Sequence, residues 1–136
     1  MRSMWRYLWP LPLTLLGLAL ALLARLSGGT WAIRGGVVEA CGPAARMMLR
    51  LHPVGGVTAM ALGHVVIARD SSCLAQSRAH EREHVRQFER WGLLFPVVYV
   101  GESAYCWISG QDPYLANRFE RAAEAAARTD TTDTQN

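Results

Sequence analysis

Lysine is absent from the sequence, and positive charge is in only slight excess. All 14 basic residues are arginines, and the formal net charge is +3. So small an excess does not indicate a nucleic-acid partner. The use of arginine alone indicates a codon preference more than a demand for bidentate contacts. With 136 residues, the chain has room for one modest domain and one active site.

Cysteine is also scarce. The chain contains three, Cys41, Cys73 and Cys106, and none of them belongs to a C-x-x-C pair. Three cysteines cannot all pair within one chain, so we interpret them as small buried apolar residues. They neither require nor exclude an oxidising compartment.

Charge is missing from one long stretch near the N-terminus. Residues 8–24 (LWPLPLTLLGLALALLA) carry no charged side chain and lie between Arg6 and Arg25. Although slightly short, the stretch predicts a single membrane helix, with the neighbouring aromatic residues in the headgroup zone. A cleaved signal peptide with an A-x-A site at residues 19–21 is the alternative. We therefore expect membrane localisation, with membrane lipid as a partner.

The segment with the most chemical content is His80-Glu81-Arg82-Glu83-His84, which fits the pattern H-E-x-x-H. On an α-helix each residue turns by about 100°, so His80 and His84 share one face and can bind one metal ion. Glu81 then lies close enough to reach a metal-bound water without competing for the metal. The pattern predicts a hydrolytic zinc site with Glu81 as general base. The alternative is a solvated helix in which these residue types meet by chance.

The helix that carries this motif can be bounded from the sequence. Residues 70–72 offer N-cap side chains, and Gly92 ends the helix after roughly twenty residues. On a helical wheel the histidine pair faces inward, and four arginines lie on the opposite side. We interpret the arginine face as solvated, with anionic lipid or a nucleic-acid backbone as alternative contacts. These arginines are Arg78, Arg82, Arg86 and Arg90.

Glycine and proline divide the preceding region into a β-hairpin and one short helix. Residues 30–34 and 37–40 predict a hairpin, because Gly35-Gly36 between them can take the positive φ values of a tight turn. Residues 44–51 predict an amphipathic helix that ends before Pro53.

A second candidate for strand structure lies directly before the metal-motif helix. Residues 57–68 are apolar and rich in β-branched side chains around Gly63-His64, which predicts either a hairpin or one bulged strand. In zinc peptidases a strand beside the metal helix commonly aligns an extended substrate by edge pairing. His64 is therefore a candidate for the site, although a lone histidine in a strand is more often structural.

A second apolar stretch, residues 93–108, follows the metal-motif helix. It is too short and too polar for a membrane span, so we expect a core helix that packs on the metal-motif helix. Glu102 within it would need a partner and is a candidate for supporting a metal ligand. Tyr99, Tyr114 and His64 are candidates for stabilising an oxyanion, and the sequence does not separate them.

The third metal ligand is expected from the last helix, which Asn117 can cap. Glu120 and Glu124 lie one turn apart on it, and one carboxylate beside His80 and His84 completes a three-ligand zinc site that is open to water. We predict Glu120 as this ligand, with Glu124 as the alternative. Asn117-x-x-Glu120 also fits a capping box, in which the glutamate bonds back to the cap N–H instead.

These motifs resemble a known family. H-E-x-x-H at residues 80–84, followed by N-x-x-E-x-x-A at residues 117–123, resembles the metal site of gluzincins, the zinc metallopeptidases with a glutamate as third ligand. The chain is also similar to short bacterial proteins with H-E-x-x-H-x-x-Q, a WG step, a hydrophobic helix, a DPY turn and N-x-x-E-R. The resemblance implies zinc, Glu81 as general base, and a carboxylate at Glu124 that braces a zinc-bound histidine.

Together these features predict an α+β protein in three parts. The parts are an N-terminal membrane helix or signal peptide (1–27), a zincin-like metallopeptidase domain with a small sheet and three helices (28–128), and a disordered tail (129–136). The expected function is hydrolysis of membrane-proximal peptides or proteins by zinc-activated water. The alternatives are a non-catalytic membrane-surface protein and a zinc-bearing interaction protein.

Overall fold

The computed structural model describes residues 2–134 and confirms the predicted α+β class. A single turn of 3₁₀ helix, Gly92–Leu94, lies between the fourth and fifth helices. The elements in chain order are α1 (Arg2–Leu8), α2 (Leu11–Leu26), β1 (Thr30–Arg34), β2 (Val37–Cys41), α3 (Pro43–Arg50), β3 (Ala59–Leu62), β4 (Val65–Ala68), α4 (Ser71–Trp91), α5 (Phe95–Ile108) and α6 (Arg118–Thr134).

The strands form one sheet in the order β1-β2-β4-β3. β1 and β2 are the predicted antiparallel hairpin, in which Arg34 pairs with Val37. Gly35 and Gly36 between them have φ values of 57° and 76°, as a two-residue type I′ turn requires. β3 and β4 form a second antiparallel hairpin, so the alternative of one bulged strand is wrong. β2 and β4 pair in parallel.

The sheet separates two cores. On one face Ile67 of β4 packs with Ala21 of α2. On the other face Val66 packs with Phe88 of α4 and Phe119 of α6, because successive side chains of a strand point to opposite faces. The helix with the histidine motif, α4, therefore lies between the sheet and α6.

The apolar N-terminal stretch is not a membrane helix. Within the described residues, no helix has both the length and the apolarity that crossing a bilayer requires. Pro10 separates the short α1 from α2, which has 16 residues. α2 buries Gly17, Ala21 and Ala24 so closely against the sheet that a Cβ on Gly17 would lie 2.7 Å from Cβ of Val65. The predicted membrane helix and the membrane localisation inferred from it are therefore wrong.

The arginines of α4 do not form a uniformly solvated face. Nε and Nη2 of Arg78 donate to the carboxylate of Glu39 on β2 within 3.1 Å, and Nη2 of Arg82 lies 3.4 Å from it. Glu39 is only 2% exposed, and Arg34 approaches it to 3.6 Å. The interpretation of a solvated face is wrong for Arg78 and Arg82, which connect α4 to the sheet, whereas Arg86 is exposed.

The predicted bounds of the metal-motif helix are confirmed. Asp70 caps α4 by accepting a hydrogen bond from the N–H of Cys73 at 2.8 Å, and this bond lowers the pKa of the Asp70 carboxyl. Gly92 ends the helix with a φ of 56°. An ionised cap at the positive end of the helix dipole fixes where α4 starts, and with it the position of the motif.

The last helix is longer than the sequence predicts. Asn117 caps it as expected, since its Oδ1 accepts a hydrogen bond from the N–H of Phe119 at 2.9 Å. The helix then continues to Thr134. Most of the segment predicted as a disordered tail (129–136) is therefore helical, and its last two residues lie outside the described part of the chain.

Candidate metal centre

Two histidines of α4 face a glutamate of α6. Nε2 of His80 lies 3.2 Å from Nε2 of His84. Oε2 of Glu120 lies 3.1 Å from Nε2 of His80, and Oε1 lies 3.3 Å from Nε2 of His84. The structure thus brings together the three side chains that the sequence singles out as candidate ligands, in an arrangement that could hold a metal ion.

The spacing of these atoms suits a tetrahedral ion. Zinc bonds of about 2.0–2.2 Å at tetrahedral angles place neighbouring ligand atoms roughly 3.3 Å apart. The 3.2 Å between the two imidazole nitrogens is close to that value, and each nitrogen has a different oxygen of Glu120 at a similar distance, 3.1 Å for His80 and 3.3 Å for His84. Two imidazoles and a carboxylate are a donor set that zinc accepts, as do other divalent first-row metals.

Glu120 is oriented by Tyr99 of α5. The hydroxyl of Tyr99 donates to Oε1 of Glu120 at 2.5 Å, whereas the buried Oε2 faces Nε2 of His80 at 3.1 Å. A buried carboxylate is costly unless a positive charge or hydrogen-bond donors compensate it. Burial acts to raise the pKa of Glu120, but the imidazoles of His80 and His84 outweigh it and hold the pKa well below its usual value. The carboxylate is therefore ionised, as a metal ligand must be.

Asn117 fixes the position of α6 relative to α5. Its Nδ2 donates to the carbonyl of Tyr99 at 3.2 Å and to Oγ of Ser103 at 2.8 Å. The N–H of Asn117 donates to the carbonyl of Tyr114, so the capping-box interpretation of Glu120 is wrong. The carboxylate of Glu120 is left to face the histidine pair.

Glu81 lies on the sheet side of α4, beside β3. Its side chain is buried, and burial raises the pKa of Glu81, against the lowering effect of His84, His80 and the backbone N–H of Ala61. A raised pKa suits a group that takes and returns a proton near neutral pH. β3, which contains Ala61, is an edge strand of the sheet.

Two other acidic candidates lie at the margin of the site or outside it. The side chain of Glu124 is 56% exposed, and its Oε2 lies 3.9 Å from Nδ1 of His80, which is beyond hydrogen-bond distance. Glu102 pairs with Arg118 at 3.7 Å, and within the described residues no hydrogen bond or ion pair joins it to a candidate ligand. Of the glutamates on α6, Glu120 is the one that faces both imidazoles.

The three candidates for stabilising an oxyanion differ in their exposure and in their partners. Tyr99 already donates its hydroxyl to Glu120. His64 is buried in the turn between β3 and β4, where its Nε2 lies 3.0 Å from Oε1 of Glu89. Tyr114 is 45% exposed, and the burial of part of its ring, together with the carboxylate of Glu120, raises the pKa of its phenol. Tyr114 thus combines exposure with proximity to the ligands.

The sequence did not reveal the role of Gln87. This buried side chain lies with Oε1 at 2.8 Å from Nδ1 of His84, and its Nε2 donates to the carbonyl of Phe119 at 3.0 Å. A signal was present, because a polar residue three positions after a candidate ligand shares its helix face. The contact of Tyr99 with Glu120 joins two different helices. No local sequence pattern comparable to that of His84 and Gln87 therefore predicts it.

No protein-family model, curated protein or solved structure matches the chain. Its function must therefore be inferred from the residues of this site.

Proposed function

We propose that the protein is a zinc metallopeptidase in which His80, His84 and Glu120 hold the ion and Glu81 is the general base. One observation carries the proposal. The two imidazole nitrogens lie 3.2 Å apart, as two ligands of one tetrahedral ion would, and each faces an oxygen of Glu120, at 3.1 Å from His80 and 3.3 Å from His84. The ionised carboxylate offsets part of the charge that the ion brings into a largely buried site.

Different residues around the ligands would carry out different steps of peptide hydrolysis. Zinc at this position would supply a Lewis acid that lowers the pKa of a bound water and polarises a carbonyl. Glu81 takes the proton of the attacking water and passes it to the leaving amine. Tyr114, whose phenol is protonated at neutral pH, donates a hydrogen bond to the oxyanion.

β3 offers an extended substrate a place to bind. It is an edge strand, and its residue Ala61 adjoins Glu81. A peptide that adds to a sheet edge is held by main-chain hydrogen bonds and needs no particular side chain for its affinity. Pairing with β3 would bring a peptide carbonyl beside Glu81, which favours a peptide or protein substrate.

Zinc content tests the metal centre. We expect about one zinc per chain in protein purified without chelator, retained in Glu81→Gln and lost or much weakened in His80→Ala and His84→Ala. Glu120→Gln replaces an anionic donor with a weak neutral one and should lower zinc affinity sharply. Glu124→Gln is the matched control on the same helix and should have the milder effect. Wild-type protein that neither contains nor takes up zinc would refute the metal centre.

Peptide hydrolysis is a separate measurement, made on zinc-loaded protein with an unstructured fluorogenic peptide. Glu81→Gln should lower kcat by about 100-fold or more while keeping zinc, and Tyr114→Phe should lower it by roughly 100-fold. Glu83→Gln is the matched control on α4, since its carboxylate pairs with Arg86 on the exposed surface. Bound zinc without hydrolysis would favour the zinc-bearing interaction protein instead.

A further inference from the structure

Gln87 lies between the two helices that carry the candidate ligands. Its Oε1 is 2.8 Å from Nδ1 of His84 on α4, and its Nε2 donates to the carbonyl of Phe119 on α6 at 3.0 Å. Phe119 directly precedes Glu120, so this one amide touches one candidate ligand and the backbone beside another. Gln87 is 7% exposed, and both contacts are buried.

The carbonyl of Phe119 determines the direction of both hydrogen bonds. A carbonyl oxygen only accepts, so the amide nitrogen of Gln87 must face Phe119 and the amide oxygen must face His84. The amide oxygen also only accepts, which places the proton of the His84 ring on Nδ1. In a neutral ring, which is the form that binds a metal, the lone pair of Nε2 is then directed towards His80 and Glu120. This is the tautomer that a ligand binding through Nε2 requires.

We infer that Gln87 is the positioning residue of the metal centre. It holds His84 in the tautomer and ring orientation that present Nε2, and it ties the first turn of α6 to α4 so that Glu120 meets the histidine pair. The inference rests on the proposed metal centre, because the tautomer matters only if Nε2 is a ligand. Removing the partner of the second ring nitrogen of a metal-bound histidine typically costs 10–100-fold in metal affinity.

The zinc affinity of Gln87→Met tests this role. Methionine has a similar length and volume, but its thioether accepts a hydrogen bond from His84 only weakly and cannot donate one to Phe119. We expect the zinc affinity, measured by competition with a chelator, to fall by about 10–100-fold. Val85→Ala is the matched control, because Val85 is 3% exposed in the core contacts of the same helix. It should lower stability and leave zinc affinity unchanged.

Cobalt substitution adds a readout that a loss of stability alone would not change. The visible absorption bands of bound Co²⁺ depend on the ligand geometry, so they should differ from wild type in Gln87→Met and match wild type in Val85→Ala. Wild-type zinc affinity and a wild-type cobalt spectrum in Gln87→Met would overturn the inference. The metal centre itself would remain intact in that outcome.

A measurement on the wild-type chain does not depend on the folding of a variant. In the zinc-loaded protein, ¹⁵N NMR of the histidine rings should find the proton of His84 on Nδ1 and the metal on Nε2. The reverse assignment, with the proton on Nε2, would overturn the inference even if zinc is bound. Wild-type protein that binds no zinc is a distinct result, which refutes the proposed function and the inference together.

Discussion

Glu39 and Glu120 are both buried carboxylates, and their surroundings differ in kind. Glu39 is 2% exposed and lies against the guanidinium groups of Arg78 and Arg82. Arginine does not lose its proton in proteins, so the charge of Glu39 is permanently compensated. Glu120 instead faces two imidazoles, which can be neutral and can bind a metal. The first arrangement connects sheet and helix, and the second has the chemistry of a ligand set.

This difference predicts separate effects on stability and zinc binding. Glu39→Gln should lower the free energy of unfolding by roughly 2–3 kcal/mol, which is below the cost of breaking a fully buried pair because the side chains of Arg78 and Arg82 are 33% and 31% exposed. Urea denaturation measures this loss, and zinc affinity should stay unchanged. Glu83→Gln, which breaks a surface pair with Arg86, is the control and should cost less than about 1 kcal/mol. Equal losses in the two variants would contradict the structural role of Glu39.

Whether a site residue could be predicted depends on whether its partner is local. His80, His84 and Glu81 follow from spacing on one helix, and the sequence also favours Glu120 over Glu124. Other contacts of the site join segments that are distant in the chain, so no local pattern predicts them. These include Tyr99 to Glu120, Gln87 to Phe119 and Glu39 to Arg78.

At the scale of elements, α2 shows why apolarity alone does not identify the environment of a helix. Its small residues Gly17, Ala21 and Ala24 pack against the sheet, while leucines such as Leu15 and Leu22 are exposed on other faces. The helix is therefore apolar all round, a pattern shared by membrane spans and buried helices. Small residues at this spacing also allow helices to pack closely against each other within bilayers. The strands that α2 packs on lie far along the chain, so the sequence of α2 does not reveal them.

Two helical glycines provide a matched test of this packing. Gly17→Ala should lower the free energy of unfolding by about 1–3 kcal/mol, because the new Cβ would lie 2.7 Å from Cβ of Val65 and 3.0 Å from the carbonyl oxygen of Leu62. Gly101→Ala in α5 should raise it by about 0.5–1 kcal/mol, since within the described residues, apart from the adjacent residues and the nearby backbone of α5, no atom lies within 4 Å of its added Cβ. Opposite signs in denaturation experiments are expected. A stabilising effect at Gly17 would show that α2 does not pack on the sheet.

Elements with clear local boundaries were predictable, and their arrangement was not. The glycine pair between β1 and β2 and the caps of α4 each depend on a few neighbouring residues. The parallel pairing of β2 with β4 depends instead on helices that cover both faces of the sheet, as parallel strands usually require. The sequence did not indicate that α2 is one of these helices.

At the scale of the whole molecule, the N-terminal region belongs to the fold. Val65 and Ile67 of β4 are each 1% exposed, and they are covered by residues of α2 and α3, including Ala21 and Leu49. The opposite face of the sheet packs against α4, which contains two of the candidate metal ligands. The sheet therefore links the N-terminal helix to the site, although the sequence predicts a domain that starts only at residue 28.

Deletion of residues 1–27 tests this organisation. Burial of one aliphatic side chain contributes about 1.5–3 kcal/mol, and exposing the part of the sheet that α2 covers should cost much of the 5–15 kcal/mol by which domains are typically stable. We expect the shortened chain to show no cooperative thermal transition, to bind a hydrophobic dye and to lose wild-type zinc affinity. Deletion of residues 129–136 is the control, because residues 129–134 are exposed at the end of α6 and their loss should leave the transition in place. If the chain without residues 1–27 unfolds cooperatively and binds zinc as wild type does, α2 is dispensable, and the sheet must be stable with only α3 on that face.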